Sequence, residues 1–193
     1  MRSASVSAHG AIMGTHLHIS YLADHLDAVP VLKQWFETAW ADYYGPAGPG
    51  DAEQDLIAYS NREKLPVGLV AFCEGQLCGI AALKPDSIST HTHLYPWAAA
   101  GFVVPRFRRR GIGAKLVSAL EDVARALGYS TIYCGTSTAI SLLKRHEWQF
   151  MERVRYHGED VSIYQKALEL YAQPDRPIAA LLGTLRAARG GGR

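Results

Sequence analysis

Cysteine is scarce in this chain, three in 193 residues. Cys73, Cys78 and Cys134 fit neither a secreted disulfide framework nor the paired spacing of a zinc site. Cys73 and Cys78 flank Glu74-Gly75 and either approach one another across a hairpin or stay two buried thiols. Long apolar runs are missing as well. No stretch approaches the ~18 to 20 uninterrupted apolar residues of a membrane-spanning helix, so a soluble chain with no membrane partner is expected. Residues 1–14 are rich in Ser, Ala and Gly but lack the apolar core, roughly 7 to 15 residues, of a secretory signal. They are expected to form a flexible tail on a cytoplasmic protein, with Met1 or Met13 as its start. Charge of one sign is also lacking: the net charge is +2, which argues against a nucleic-acid partner even though arginines cluster locally. His16 and His18 have no third ligand nearby, and His91 and His93 stand in a polar loop. No metal is expected.

What is present is enough apolar residue, 48%, for one well-buried core. The stretch around which the rest is organised is Arg108-Arg109-Arg110-Gly111-Ile112-Gly113-Ala114. An apolar strand signal, 98–104, precedes it, and an amphipathic helix follows with Ile112, Leu116, Leu120, Val123 and Leu127 on one face, closed by Gly128. Glycines at a helix start let backbone N–H groups converge where the helix dipole is positive, which makes this stretch a candidate diphosphate cradle. The three arginines pair with phosphates there, or form a solvated basic turn.

The remaining elements follow from pattern. Leu17, Ile19 and Tyr21 alternate as a first strand, and Asp27 is placed to cap a helix with Pro30 in its first turn. Trp35, Trp40, Tyr43 and Tyr44 on this helix have two readings, core packing or the wall of an acceptor pocket. Gly45 to Gly50 breaks the helix, and Asp51 starts another. Strands 67–73 and 76–83 form a hairpin over Glu74-Gly75, and a polar loop, 84–95, leads to the central strand. A strand over 130–135, a short helix over 138–145 and a terminal hairpin turning at His157-Gly158 complete the pattern. In the first arm Trp148, Phe150, Val154 and Tyr156 are expected to share a face.

The strand, Pro105, Phe107 and then Arg-x-x-Gly-x-Gly at 108–113 resemble the acetyl-CoA-binding motif of the GCN5-related N-acetyltransferases, Q/R-x-x-G-x-G/A. Element order agrees over residues 16–168, and motif detail over 98–150. The resemblance implies an α/β fold of the α+β type: a single domain with a mixed, mostly antiparallel sheet and helices on both faces. The domain would span 15–168, and residues 169–193 would be an extension holding a short helix. It further implies acetyl-CoA as cosubstrate, bound by Phe102, Val103 and Val104 on the strand and by Arg108, Arg109, Arg110, Gly111, Ile112, Gly113 and Ala114 at the helix start. The acceptor would be a primary amine of a small molecule or peptide, with a homodimer left open.

Direct transfer needs no nucleophilic residue, and none is evident. The family's usual general acid is a tyrosine in a Phe-Tyr-x-x-x-Gly-Phe setting. Counting back from Trp148, that tyrosine falls on Leu143, the phenylalanine on Leu142 and the glycine on Glu147. The catalytic residues are therefore not assigned. Water or the departing ammonium proton, or Ser141, Tyr133 or Tyr164, could replace the acid; Glu152 and Glu37 are candidate bases. The alternative is a catalytically weakened acyl-CoA-binding sensor.

Overall fold

Two short turn signals set the frame of the sheet. In the computed structural model, which describes residues 16–169, Glu74-Gly75 and His157-Gly158 both take positive φ at both positions, 53° and 78° and then 47° and 81°. That is the turn whose twist matches the strands it joins. They close two hairpins, β2 (Val67–Cys73) with β3 (Gln76–Lys84) and β6 (Gln149–Tyr156) with β7 (Glu159–Ala167). Together with β1 (Leu17–Tyr21), β4 (Trp97–Val103) and β5 (Thr131–Thr136), they form one seven-stranded sheet in the order β1-β2-β3-β4-β5-β7-β6. All neighbours are antiparallel except β4 and β5. The apolar, carboxylate-free strand is thus the fourth of seven, but only Trp97 and Ala98 are buried; from Ala99 on it is half-buried, with Gly101 exposed, because it parts from β5 there. The tail and the C-terminal segment read from the sequence lie outside the described residues, apart from Glu169.

The first helix, α1 (Val29–Ala39), has Pro30 in its first turn and buries Val29, Leu32 and Phe36. Asp27 does not cap it: the residue sits in a 3₁₀ turn, Leu26–Ala28, and Ala28 holds the cap position without a side-chain bond. The chain breaks at Trp40 and resumes as one turn, α2 (Ala41–Tyr44). Asp51 does cap α3 (Ala52–Ala58), its Oδ1 accepting from the Gln54 N–H at 3.0 Å. These helices lie on one face of the sheet. The other face carries α4 (Ile112–Ala126) and α5 (Ile140–Arg145), packed on Tyr21, Leu69, Leu83, Ala98 and Ile132.

Helix α4 ends as the glycine predicts. Gly128, φ 86°, lets its own N–H reach the Arg125 carbonyl and that of Tyr129 reach Ala124, the paired bonds of a left-handed cap. Helix α5 ends in the same way on Glu147, φ 62°, with Trp148 N–H to Leu143 O at 3.0 Å. A carboxylate residue thus occupies a glycine's conformation. One expectation fails on β6. The register slips between Phe150 and Glu152, so Met151 is bulged and packs inward with Val154 and Tyr156, while Phe150 is 54% exposed against Tyr164.

Candidate functional site

The turn before α4 holds its N–H groups free. Arg109 (φ 61°) and Gly111 (φ 77°) are left-handed with Arg110 between them, the alternation in which successive N–H groups converge. Among the described residues, none of the N–H groups of residues 109–114 has a protein acceptor; the first one taken is that of Lys115, by Gly111 O at 3.0 Å. A Cβ built on Gly111 meets nothing within 4 Å, so the space over the turn is open. Gly113 faces α5 instead, its Cβ position 3.3 Å from Leu142 Cδ2. Arg106 and Arg110 both lie over the buried Phe107 ring, at 4.9 and 5.4 Å. Arg106, Arg108, Arg109 and Arg110 pair with no carboxylate among the described residues, unlike Arg62, Arg125 and Arg155. Free amides, a positive helix end and unneutralised arginines are a donor set suited to a diphosphate.

The strand leading here is forked from its neighbour. β4 meets β5 at one register pair, Trp97 with Tyr133, supported by Tyr133 N–H to Pro96 O at 2.9 Å. Beyond that pair the strands are not joined. A bulge at Ala100 (φ 52°) and Gly101, opposite Ala81 of β3, bends β4. The predicted strand residues divide: Val103 and Val104 pack on the α4 side, Phe102 on the α1 side. Val104 has its N–H on Cys78 O at 3.0 Å and its carbonyl on Phe107 N–H, so its backbone is occupied. Arg108 donates Nε–H to Val103 O at 3.0 Å, which ties strand to turn.

On the α1 side, the aromatic residues pack on one another. Phe102 stacks with Trp35 (5.4 Å) and Trp40 (6.3 Å), and Phe36 with Trp40 and Tyr44. Trp35, Trp40, Tyr44 and Phe102 are half-buried rings packed against the α1-side core. Tyr44 borders an open groove of about 460 Å³ whose rim carries Lys33, Glu37, Asp51 and Glu53. The Tyr44 hydroxyl donates to Asp55 Oδ2 at 2.6 Å. The Tyr59 hydroxyl, on a residue 2% exposed, is buried beside it. Burial and the bond to Asp55 raise the Tyr44 phenol, and burial beside Asp55 raises that of Tyr59. Sequence reasoning missed the contact of Tyr59 and Asp55 with Tyr44, because it joins α3 and its C-cap to α2 across the Gly45–Gly50 loop.

The family model described as the acetyltransferase (GNAT) family matches residues 32–148. The chain belongs to this family. Its solved structural neighbours share the GNAT fold. The yncA protein from Salmonella typhimurium, solved with its cofactor acetyl-CoA, has a TM-score of 0.62 at 22% identity, covering 83% of this chain and 99% of the other. The aminoglycoside 6'-N-acetyltransferase from Enterococcus faecium gives 0.61 at 15%, covering 81% and 99%. An aminoglycoside 6'-N-acetyltransferase complexed with coenzyme A gives 0.62 at 14%, covering 81% and 99%. No curated protein matches the sequence.

Within this GNAT chain the acid and base candidates stand in different places. Leu143 is 1% exposed and built into the core beside Trp148. Tyr164 is equally buried on the α4 side, and Ser141 is exposed on α5. Tyr133 is half-buried at the root of the fork, ring to ring with Trp97 at 5.9 Å, and no hydroxyl partner is present among the described residues. Glu152 pairs with His91 Nε2 at 3.2 Å, pinning the 84–95 loop to β6, and Glu37 pairs with Lys33 at 2.6 Å. Among the described residues no helix is long and apolar enough to cross a membrane.

Proposed function

We propose that this GNAT protein transfers the acetyl group of acetyl-CoA to a primary amine of a small molecule or peptide, in one direct step. The observation that carries the reading is the turn from Arg109 to Ala114, with converging N–H groups, open space over Gly111 and unpaired arginines. Arg108, Arg109, Arg110, Gly111, Ile112, Gly113 and Ala114 would hold the coenzyme's phosphates. Phe102 and Val103 border the fork that would take its arm, and Val104 contributes packing rather than free backbone groups. The coenzyme supplies an activated acetyl thioester. The chain's own part is to orient an uncharged amine on the Phe102 side and to furnish a proton for the leaving sulfur. Of the acid candidates, Tyr133 stands at the fork, so we assign the proton to it.

The chain would thus act as a single cytoplasmic acetyltransferase domain over 15–168. The sensor reading is favoured by one observation, the burial of Leu143 at the family's tyrosine position. Two measurements separate the readings. Calorimetry with CoA should show binding under either, while release of free thiol from acetyl-CoA with a panel of primary amines occurs only for the enzyme. Coenzyme binding without any thiol release would leave the sensor.

A further inference from the structure

We propose that the Arg108 side chain stands in for the missing neighbour strand at the end of β4, and that this brace, rather than its charge, is what the side chain contributes to coenzyme binding. This rests on the acetyltransferase reading above. The alternation of an antiparallel ladder decides which way the last peptide groups of β4 face. Val104 N–H bonds to Cys78 O at 3.0 Å, one step beyond the register pair Gly79 with Val103. That pair is therefore the kind whose peptide groups turn away from one another, and the N–H and C=O of Val103 face the fork. There β5 is no longer joined to β4, and no strand takes these groups. Arg108 does so in part, its Nε–H donating to Val103 O at 3.0 Å.

The residues between make this return possible. Pro105 opens a 3₁₀ turn, in which Phe107 N–H bonds to Val104 O at 2.9 Å and Arg108 N–H to Pro105 O at 3.2 Å. The buried Phe107 ring anchors that turn in the α4-side core, so residue 108 is set back beside residue 103. Of the four arginines here, Arg108 alone has a side-chain hydrogen bond among the described residues; Arg106 and Arg110 lie over the Phe107 ring. Two tasks are open to a guanidinium at this place, a charge for phosphates and a donor for the strand, and the bond it makes is the second. Val103 lies between the exposed Gly101 and the turn at 109–114. A strand end that drifts there misaligns the fork with the turn, and a ligand spanning both loses affinity.

The test compares Arg108→Gln with Arg108→Met in the full chain; the side chain is exposed, so neither change disturbs the core. Glutamine Nε2 stands at the same remove from the backbone as arginine Nε, so it keeps a donor for Val103 O and drops the charge, whereas methionine drops both. In calorimetry with CoA, Arg108→Gln should bind within about twofold of the parent and Arg108→Met about tenfold more weakly, a loss that persists at high salt because it does not come from a charge pair. The Val104 amide reports the strand itself: without CoA its hydrogen exchange should quicken in Arg108→Met and stay parental in Arg108→Gln. A glutamine variant as weak as the methionine one, or a loss that vanishes in salt, shows the side chain acting as a charge on the phosphates and overturns the proposal. Parental CoA affinity or parental Val104 exchange in Arg108→Met overturns it too. Each of these results leaves the acetyltransferase reading standing, since the parent still binds CoA. If the parent does not bind CoA, that reading falls and takes the coenzyme half of the proposal with it, while the exchange comparison still decides the brace.

Discussion

Replacing Gly111 by valine separates the coenzyme cradle from the fold around it. Gly111 has φ 77°, and a Cβ added there meets nothing within 4 Å, so the substitution is strained but not crowded. The strain of an L side chain in the left-handed region is about 1–2 kcal/mol. Gly128 is the internal control: it terminates the same helix with φ 86° and an equally open Cβ position. Gly128→Val should therefore cost the same in a urea or thermal melt. The two differ in what the new side chain covers. At Gly111 it projects into the open space at the turn whose N–H groups, residues 109–114, are free, whereas at Gly128 it stands at the other end of the helix. Losing two amide bonds to a charged phosphate at about 1.5–3 kcal/mol each weakens coenzyme binding by roughly 10² to 10⁴-fold. Calorimetry with CoA on both variants, each checked for native circular dichroism, gives the answer. A folded Gly111→Val protein with parental affinity, or a Gly128→Val protein with the same loss, would refute the cradle.

Tyr133→Phe should lower kcat for acetyl transfer by about 10²-fold or more while leaving CoA affinity intact; an unchanged kcat removes Tyr133 as the acid. Glu147→Gly should stabilise the protein by about 1 kcal/mol, a rise in Tm of roughly 2–4 °C, because glycine relieves the left-handed cap that Glu147 now holds. Lys166→Met strands Glu121, which is 4% exposed and takes Lys166 Nζ at 2.9 and 3.0 Å and Trp148 Nε1 at 2.9 Å. Breaking this buried pair should cost about 3 kcal/mol in a denaturant melt, and a loss below about 0.5 would show that the Arg125 guanidinium substitutes for it. Burial, and secondarily Cys73, push the Cys78 thiol up to about 11 from 9.0. The unfolded chain therefore releases this proton first as pH rises, and the thiol's share of stability is full below pH 9 and lost progressively toward 11. Cys78→Ala should flatten that limb of the stability curve.

How far the sequence carried this structure depends on how local each signal is. Glu74-Gly75, His157-Gly158, Gly128 and Asp51 act on backbone atoms within a few residues, and the structure places a turn or cap at each. Asp27 misled because local capping chemistry competes with the 3₁₀ turn that swings Leu22 and Val29 into the core. The β6 face was misread because one bulged residue, Met151, reverses every side chain before it, and no residue type announces a bulge. The turn proposed to hold the coenzyme could be named from sequence because Arg108 to Ala114 are consecutive. The aromatic cluster could not: Phe102, Trp40, Tyr44, Asp55 and Tyr59 come from β4, α1–α3 and their flanking turns, and only folding brings them together. The broken tyrosine motif shows the same division. Glu147 takes the positive φ that suits a glycine, whereas Leu143, at the tyrosine position, is core. Backbone shape here is set by the hydrogen bonds of the cap and tolerates a poorer residue at modest cost. The hydroxyl has no such redundancy, so any proton donor must come from another element; Tyr133, on β5 at the root of the fork, is the one we propose.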